Sequence, residues 1–76
     1  MEPPDALLAF CNLLDHDKDL RLKVKTAKDP NRIIEIAAFG GHDFSLKELR
    51  FWSKELKAAY FPWAEMGDEW RRRFFQ

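Results

Sequence analysis

Apolar residues recur at spacings of three and four along most of this chain, and polar breaks with cap-forming residues separate the runs. The longest run, Ser45 to Tyr60 (SLKELRFWSKELKAAY), organises the rest. Its Leu49, Trp52, Leu56 and Tyr60 define one stripe, which predicts a helix across the whole stretch. Ser45 supplies a cap, Glu48 completes a capping box, and Phe44 is placed to staple the chain onto the helix. Pro62 ends it.

Upstream, Pro3-Pro4-Asp5 opens a first helix with Asp5 as cap, and Leu7, Phe10, Cys11 and Leu14 form its inner stripe. Asp15-His16-Asp17 is a polar break, and Asp17 caps a second segment through about Thr26. There Leu20, Val24 and Ala27 fit a helix, while Leu20, Leu22 and Val24 alternate with basic residues as a strand would. Helix is the reading taken, because a lone strand leaves its backbone groups unpaired. Asp29 then caps a third helix with Pro30 at its first position. Ile33, Ile36, Ala37 and Gly40 mark the inner face, Ile34 and Phe39 widen it, and Gly40-Gly41 closes it in a left-handed cap.

Beyond Pro62 the composition shifts to FPWAEMGDEWRRRFFQ. Trp63, Met66, Trp70 and Phe74 fall on one face of a further helix that Pro62 starts and Gly67 weakens. The expected fold is therefore all-α, a small bundle of about four short helices with a possible C-terminal fifth. Residues 1–61 make a helical domain, and residues 62–76 an aromatic and basic extension packed on it or projecting from it.

Composition narrows the function more than it defines it. With 13 basic and 13 acidic side chains in 76 residues, the chain is no dedicated polyanion binder. One cysteine forms no internal disulfide, which points to a reducing compartment, and Cys11 reads as a structural thiol. No signal peptide or membrane span is apparent, so a cytoplasmic protein is expected. His16 between Asp15 and Asp17 could suggest a metal site, but nothing else at ligand spacing supports it. His42 reads as a linker residue, and Gly40-Gly41 lacks the strand and Lys-Ser/Thr of a phosphate loop. No metal, cofactor or catalytic residue is expected, and the chain reads as no enzyme.

Three blocks resemble the Nif-eleven family of small proteins: FCNLLDHDKDLRLKV, then AKDPNRIIEIAAFGGHDFS, then KELRFW. They place Phe10, Leu14, Asp17, Leu20 and Lys23 in the first part of the family pattern and Pro30, Ile33, Ile36 and Ala37 in the second. Gly41, Asp43, Phe44, Ser45, Glu48 and Leu49 match its G-x-D-F-S-x-x-E-L motif. The resemblance implies either a helical leader of a ribosomally made peptide or a free-standing small protein of the kind common in cyanobacteria. Leaders of this type carry their double glycine after the last helix, with a core peptide rich in Cys, Ser and Thr. Here Gly40-Gly41 precedes that helix, and residues 57–76 contain none of the three. The chain thus resembles the leader fold without a core peptide.

The expected function is a non-catalytic adaptor or regulator that binds a protein partner through an exposed aromatic surface. Eleven aromatic residues are many for so small a core. Trp63, Trp70, Arg71, Arg72, Arg73 and Phe74 are the candidate contacts. Two rivals stand beside it: retained leader-like affinity for a peptide-modifying enzyme, and attachment of the C-terminal Trp/Arg/Phe segment to a membrane surface or nucleic acid. A third possibility is that Trp63, Trp70 and Phe74 fold back to enlarge the core.

Overall fold

The computed structural model describes residues 2–76. Five helices follow one another: α1 (Asp5–His16), α2 (Lys18–Lys25), α3 (Pro30–Phe39), α4 (Leu46–Trp52) and α5 (Asp68–Phe74). No strand occurs among the described residues, so the fold is all-α. α1 packs on α2, α2 on α3 and α3 on α4, within a body of 30 × 28 × 18 Å.

Local chemistry sets most boundaries. The Asp17 carboxylate accepts from the Leu20 amide at 3.1 Å, and Asp29 does the same for Arg32 at 3.1 Å. Pro30 occupies the first turn of α3, where its missing N–H costs nothing. Ser45 and Glu48 form the reciprocal capping box of α4, at 3.0 and 2.9 Å. Their flanking residues Phe44 and Leu49 are both buried, as a hydrophobic staple requires. At the end of α3, the His42 amide donates to the Ala37 carbonyl and the Gly41 amide to Ala38. Among the described residues only Gly41 has positive φ, 85°, so this is a Schellman closure with glycine at the left-handed position. Asp5 differs from expectation. It lies in the first turn of α1, and Pro4 occupies the cap position without a side-chain bond.

One core runs through the molecule. Leu7, Phe10 and Leu14 of α1 meet Val24 of α2, Ile33 of α3 and Leu49 of α4 in it. Phe61, Trp63 and Phe75 belong to the same cluster.

Three further expectations need correction. α4 ends at Trp52 and does not reach Tyr60. Beyond it, the Ser53 hydroxyl donates to the Arg50 carbonyl at 2.6 Å, and the Glu55 amide bonds Trp52 in a three-residue turn. The carbonyl of Leu56 is taken instead by the indole of Trp63, which donates to it at 2.8 Å. Leu56 and Tyr60 still pack against the core, so their spacing recorded burial and not a continuous helix.

The last helix also starts later than Pro62. Residues 58–66 run in turns closed by bonds from Phe61 to Ala58, Ala64 to Phe61 and Met66 to Trp63. α5 begins at Asp68, and Gly67 is its cap residue, outside the helix it was expected to weaken. Trp63 and Met66 therefore share no face with Trp70: the first is buried and the second exposed.

Finally, Phe39 does not widen the inner face of α3. It is 97% exposed. At 100° per residue it stands roughly 110° from the middle of the arc set by Ile33, Ile36 and Ala37, too far round to reach the core. Gly40 is likewise exposed and Ile34 is half-buried.

Candidate interaction surface

The aromatic residues of the C-terminal segment divide into two layers. Trp63, 4% exposed, stacks on Phe61 with centroids 4.9 Å apart and touches Phe75 at 5.3 Å. This is an interior arrangement, and Trp63 offers no surface for a partner. Trp70 and Phe74 form the outer layer, stacked at 5.3 Å and half-buried on α5. The Phe74 ring bridges the layers, lying 5.8 Å from Trp63.

The arginine triplet is also divided. Arg71 turns inward: its side chain is 17% exposed, and it donates to Ser53 Oγ at 2.8 Å and to the Asp68 carboxylate. Arg72 pairs with the other oxygen of Asp68 at 2.9 Å, and Arg73 with Glu69 at 2.8 Å. The hydrogen bond from Arg71 holds the Asp68 carboxyl below its usual range, with the charges of Arg71 and Arg72 adding to the effect. Arg72 and Arg73 are exposed but locally neutralised. These are ordinary i,i+4 helix pairs, and they leave no concentrated positive field.

Other large apolar side chains are exposed elsewhere on the molecule. Phe39 projects from the rigid end of α3 and forms one edge of a cleft of about 360 Å³ with Leu20, Lys23, Arg32 and Ile36. Leu22, on the side of α2 opposite Val24, is 65% exposed. Phe51 is exposed on α4 beside a second cleft of about 360 Å³ floored by Pro4 and Trp52. The sequence carried a signal for Leu22 and Phe39. Each lies off the arc of its own helix, which an angular reading shows and a three-and-four spacing count conceals.

Cys11, Asp15 and Tyr60 lie near one another where α1 meets residues 59 and 60. Cys11 is half-buried, and burial with the Asp15 charge raises its thiol to about 11. Tyr60 donates to the Asp15 carboxylate at 3.4 Å and Lys25 to the Ala59 carbonyl at 3.0 Å, so residues 59 and 60 are tied to α1 and α2. His16 Nδ1 donates to the Asn12 carbonyl at 2.9 Å, and the His42 ring lies 6.1 Å from Phe10. No group of His, Cys, Asp and Glu able to hold a metal occurs among the described residues. No helix among them is long and apolar enough to cross a membrane.

Capped short helices around one aromatic core, with several apolar side chains left in solvent, define a small helical domain. The Nif11 domain model matches residues 5–49, well over half of the chain. The protein belongs to the Nif11 domain family. The matched region ends within α4, at Leu49, so the turns from Ser53 onward and α5 lie outside it. Neither the comparison with curated proteins nor that with solved structures gave a match.

Proposed function

We propose that this protein is a non-catalytic helical adaptor or regulator, working in the cytoplasm, that engages a protein partner through aromatic side chains held in solvent. One observation carries the reading: Phe39 is 97% exposed at the end of a helix fixed by a Schellman closure. Covering a large apolar ring on a rigid support removes its surface from water and favours association. The outer faces of Trp70 and Phe74, flanked by Arg72 and Arg73, add a second aromatic patch of the type that dominates interface energetics.

Leader-like affinity for a peptide-modifying enzyme is the second reading, favoured by the Nif11 match over residues 5–49. Attachment to a membrane surface or nucleic acid is disfavoured, because Asp68 and Glu69 pair with Arg72 and Arg73. Photo-crosslinking tests the adaptor reading. Benzoylphenylalanine in place of Phe39 should give a discrete adduct that excess unlabelled protein competes away and that changes little between low and physiological salt. The same probe in place of exposed Lys28 should give none. Equal labelling at both positions would overturn it.

A further inference from the structure

A third cleft, of about 350 Å³, opens between the turn after α4 and the start of α5. That volume lies at the lower end of the roughly 300–1,000 Å³ typical of small-ligand sites. Lys54, Lys57 and Arg71 line it with one acid, Asp68, while Met66 and Ala64 contribute apolar wall over the buried Trp63. The charges do not cancel. Asp68 gives one carboxylate oxygen to Arg71 and the other to Arg72. Lys54 and Lys57 have no carboxylate within ion-pair distance among the described residues, and Lys54 Nζ instead rests 5.7 Å from the Phe51 ring. The floor is rigid, because buried Ser53 holds Arg71 and the Trp63 indole is bonded to Leu56.

We propose that this cleft binds a carboxylate carried on a compact apolar body. The lysines receive the carboxylate, and Met66 with Ala64 covers the apolar part. A compact inorganic anion would make no use of the apolar wall, and a neutral ligand would make none of the two exposed, unpaired ammonium groups. The carboxylate has two sources, a free small acid or an acidic side chain beside an apolar one on a partner protein. The inference goes beyond the adaptor reading and stands without it, since neither Phe39 nor the Trp70–Phe74 stack takes part.

Amide nitrogen–proton correlation spectra of the full chain test it. Hydrocinnamate and acetyl-leucyl-glutamyl amide are titrated separately, with hydrocinnamamide and inorganic phosphate as controls. Saturable shifts at the Lys54, Lys57 and Gly67 amides and the Trp63 indole N–H are expected with an acid and not with either control. Saturation by hydrocinnamate identifies a small acid as sufficient, and saturation by the dipeptide alone identifies a partner's side chain. The combined Lys54→Gln and Lys57→Gln variant should weaken binding about tenfold while leaving the ligand-free spectrum otherwise unchanged, as expected for two exposed charges. No saturation with either acid, equal shifts from hydrocinnamamide or phosphate, or undiminished binding by the lysine variant would overturn it.

Discussion

Arg71 donates to Ser53 Oγ at 2.8 Å, joining α5 to the turn that ends α4 across 18 residues of chain. Ser53 is fully buried and its own proton goes to the Arg50 carbonyl, so the hydroxyl is used as donor and acceptor at once. A hydrogen bond to a charged donor contributes about 1.5–3 kcal/mol. Ser53→Ala should lower stability by about that amount, and Arg71→Met by a similar amount. Urea unfolding of the two single variants and the double should show positive coupling between them. Strict additivity would mean that the bond does not hold α5 in place.

Two phenylalanines make a matched comparison. Phe10 is fully buried against Phe44, at a centroid distance of 5.7 Å, whereas Phe39 is almost wholly exposed. Phe10→Ala should cost about 3–5 kcal/mol, a large part of the stability of a domain this size. Phe39→Ala should change stability by no more than about 0.5 kcal/mol. Similar losses from the two substitutions, measured by thermal denaturation, would contradict this placement of α3.

The adjacent glycines should also separate. Gly41 has φ of 85°, so Gly41→Ala forces a left-handed alanine and should cost about 1–2 kcal/mol. Gly40 has φ of −86°, and a Cβ there meets its nearest atoms at 3.6–3.7 Å, ordinary contact. Gly40→Ala should therefore be neutral or stabilise by up to about 1 kcal/mol. Reversal of this order in chemical denaturation would show that the helix closes differently.

Cap chemistry is why so much of the first fifty residues is legible in the sequence alone. Asp17, Asp29, the Ser45–Glu48 box and Gly41 act through neighbours within about five residues, so local sequence decides the outcome. The region after Trp52 is less legible because distant groups decide it. The indole of Trp63 takes the Leu56 carbonyl and Arg71 takes Ser53, and the periodicity of Leu49, Trp52, Leu56 and Tyr60 carries no trace of these partners. The proposed contact residues divide for the same reason. Trp63 and Arg71 turn inward because the core offers a carbonyl and a buried hydroxyl, while Arg72 and Arg73 stay outside with Asp68 and Glu69.

Alkaline pH should loosen the contact between α1 and residues 59–60. Burial, then the charges of Cys11 and Asp15, push Tyr60 from its ordinary 10.0 to about 12, and burial chiefly raises Cys11 from 9.0 to about 11. Both groups hold their protons more tightly when folded. The stability they contribute is complete below about pH 9 and declines as pH rises from 9 to 12. Tyr60→Phe combined with Cys11→Ala should flatten that decline in melts taken across this range. An unchanged alkaline slope in the double variant would place its origin elsewhere.

The C-terminal aromatic segment completes the core that the Nif11-matched helices begin, and the indole N–H of Trp63 reports on this directly. It is buried and bonded to Leu56, so its solvent exchange requires the segment to open. Native-state hydrogen exchange of the full chain should give the Trp63 indole the same opening free energy and denaturant dependence as the Leu49 amide, both exchanging through global unfolding. Rapid, denaturant-independent exchange at Trp63 while Leu49 stays protected would contradict it. The segment would then be an arm that opens independently of the folded helices.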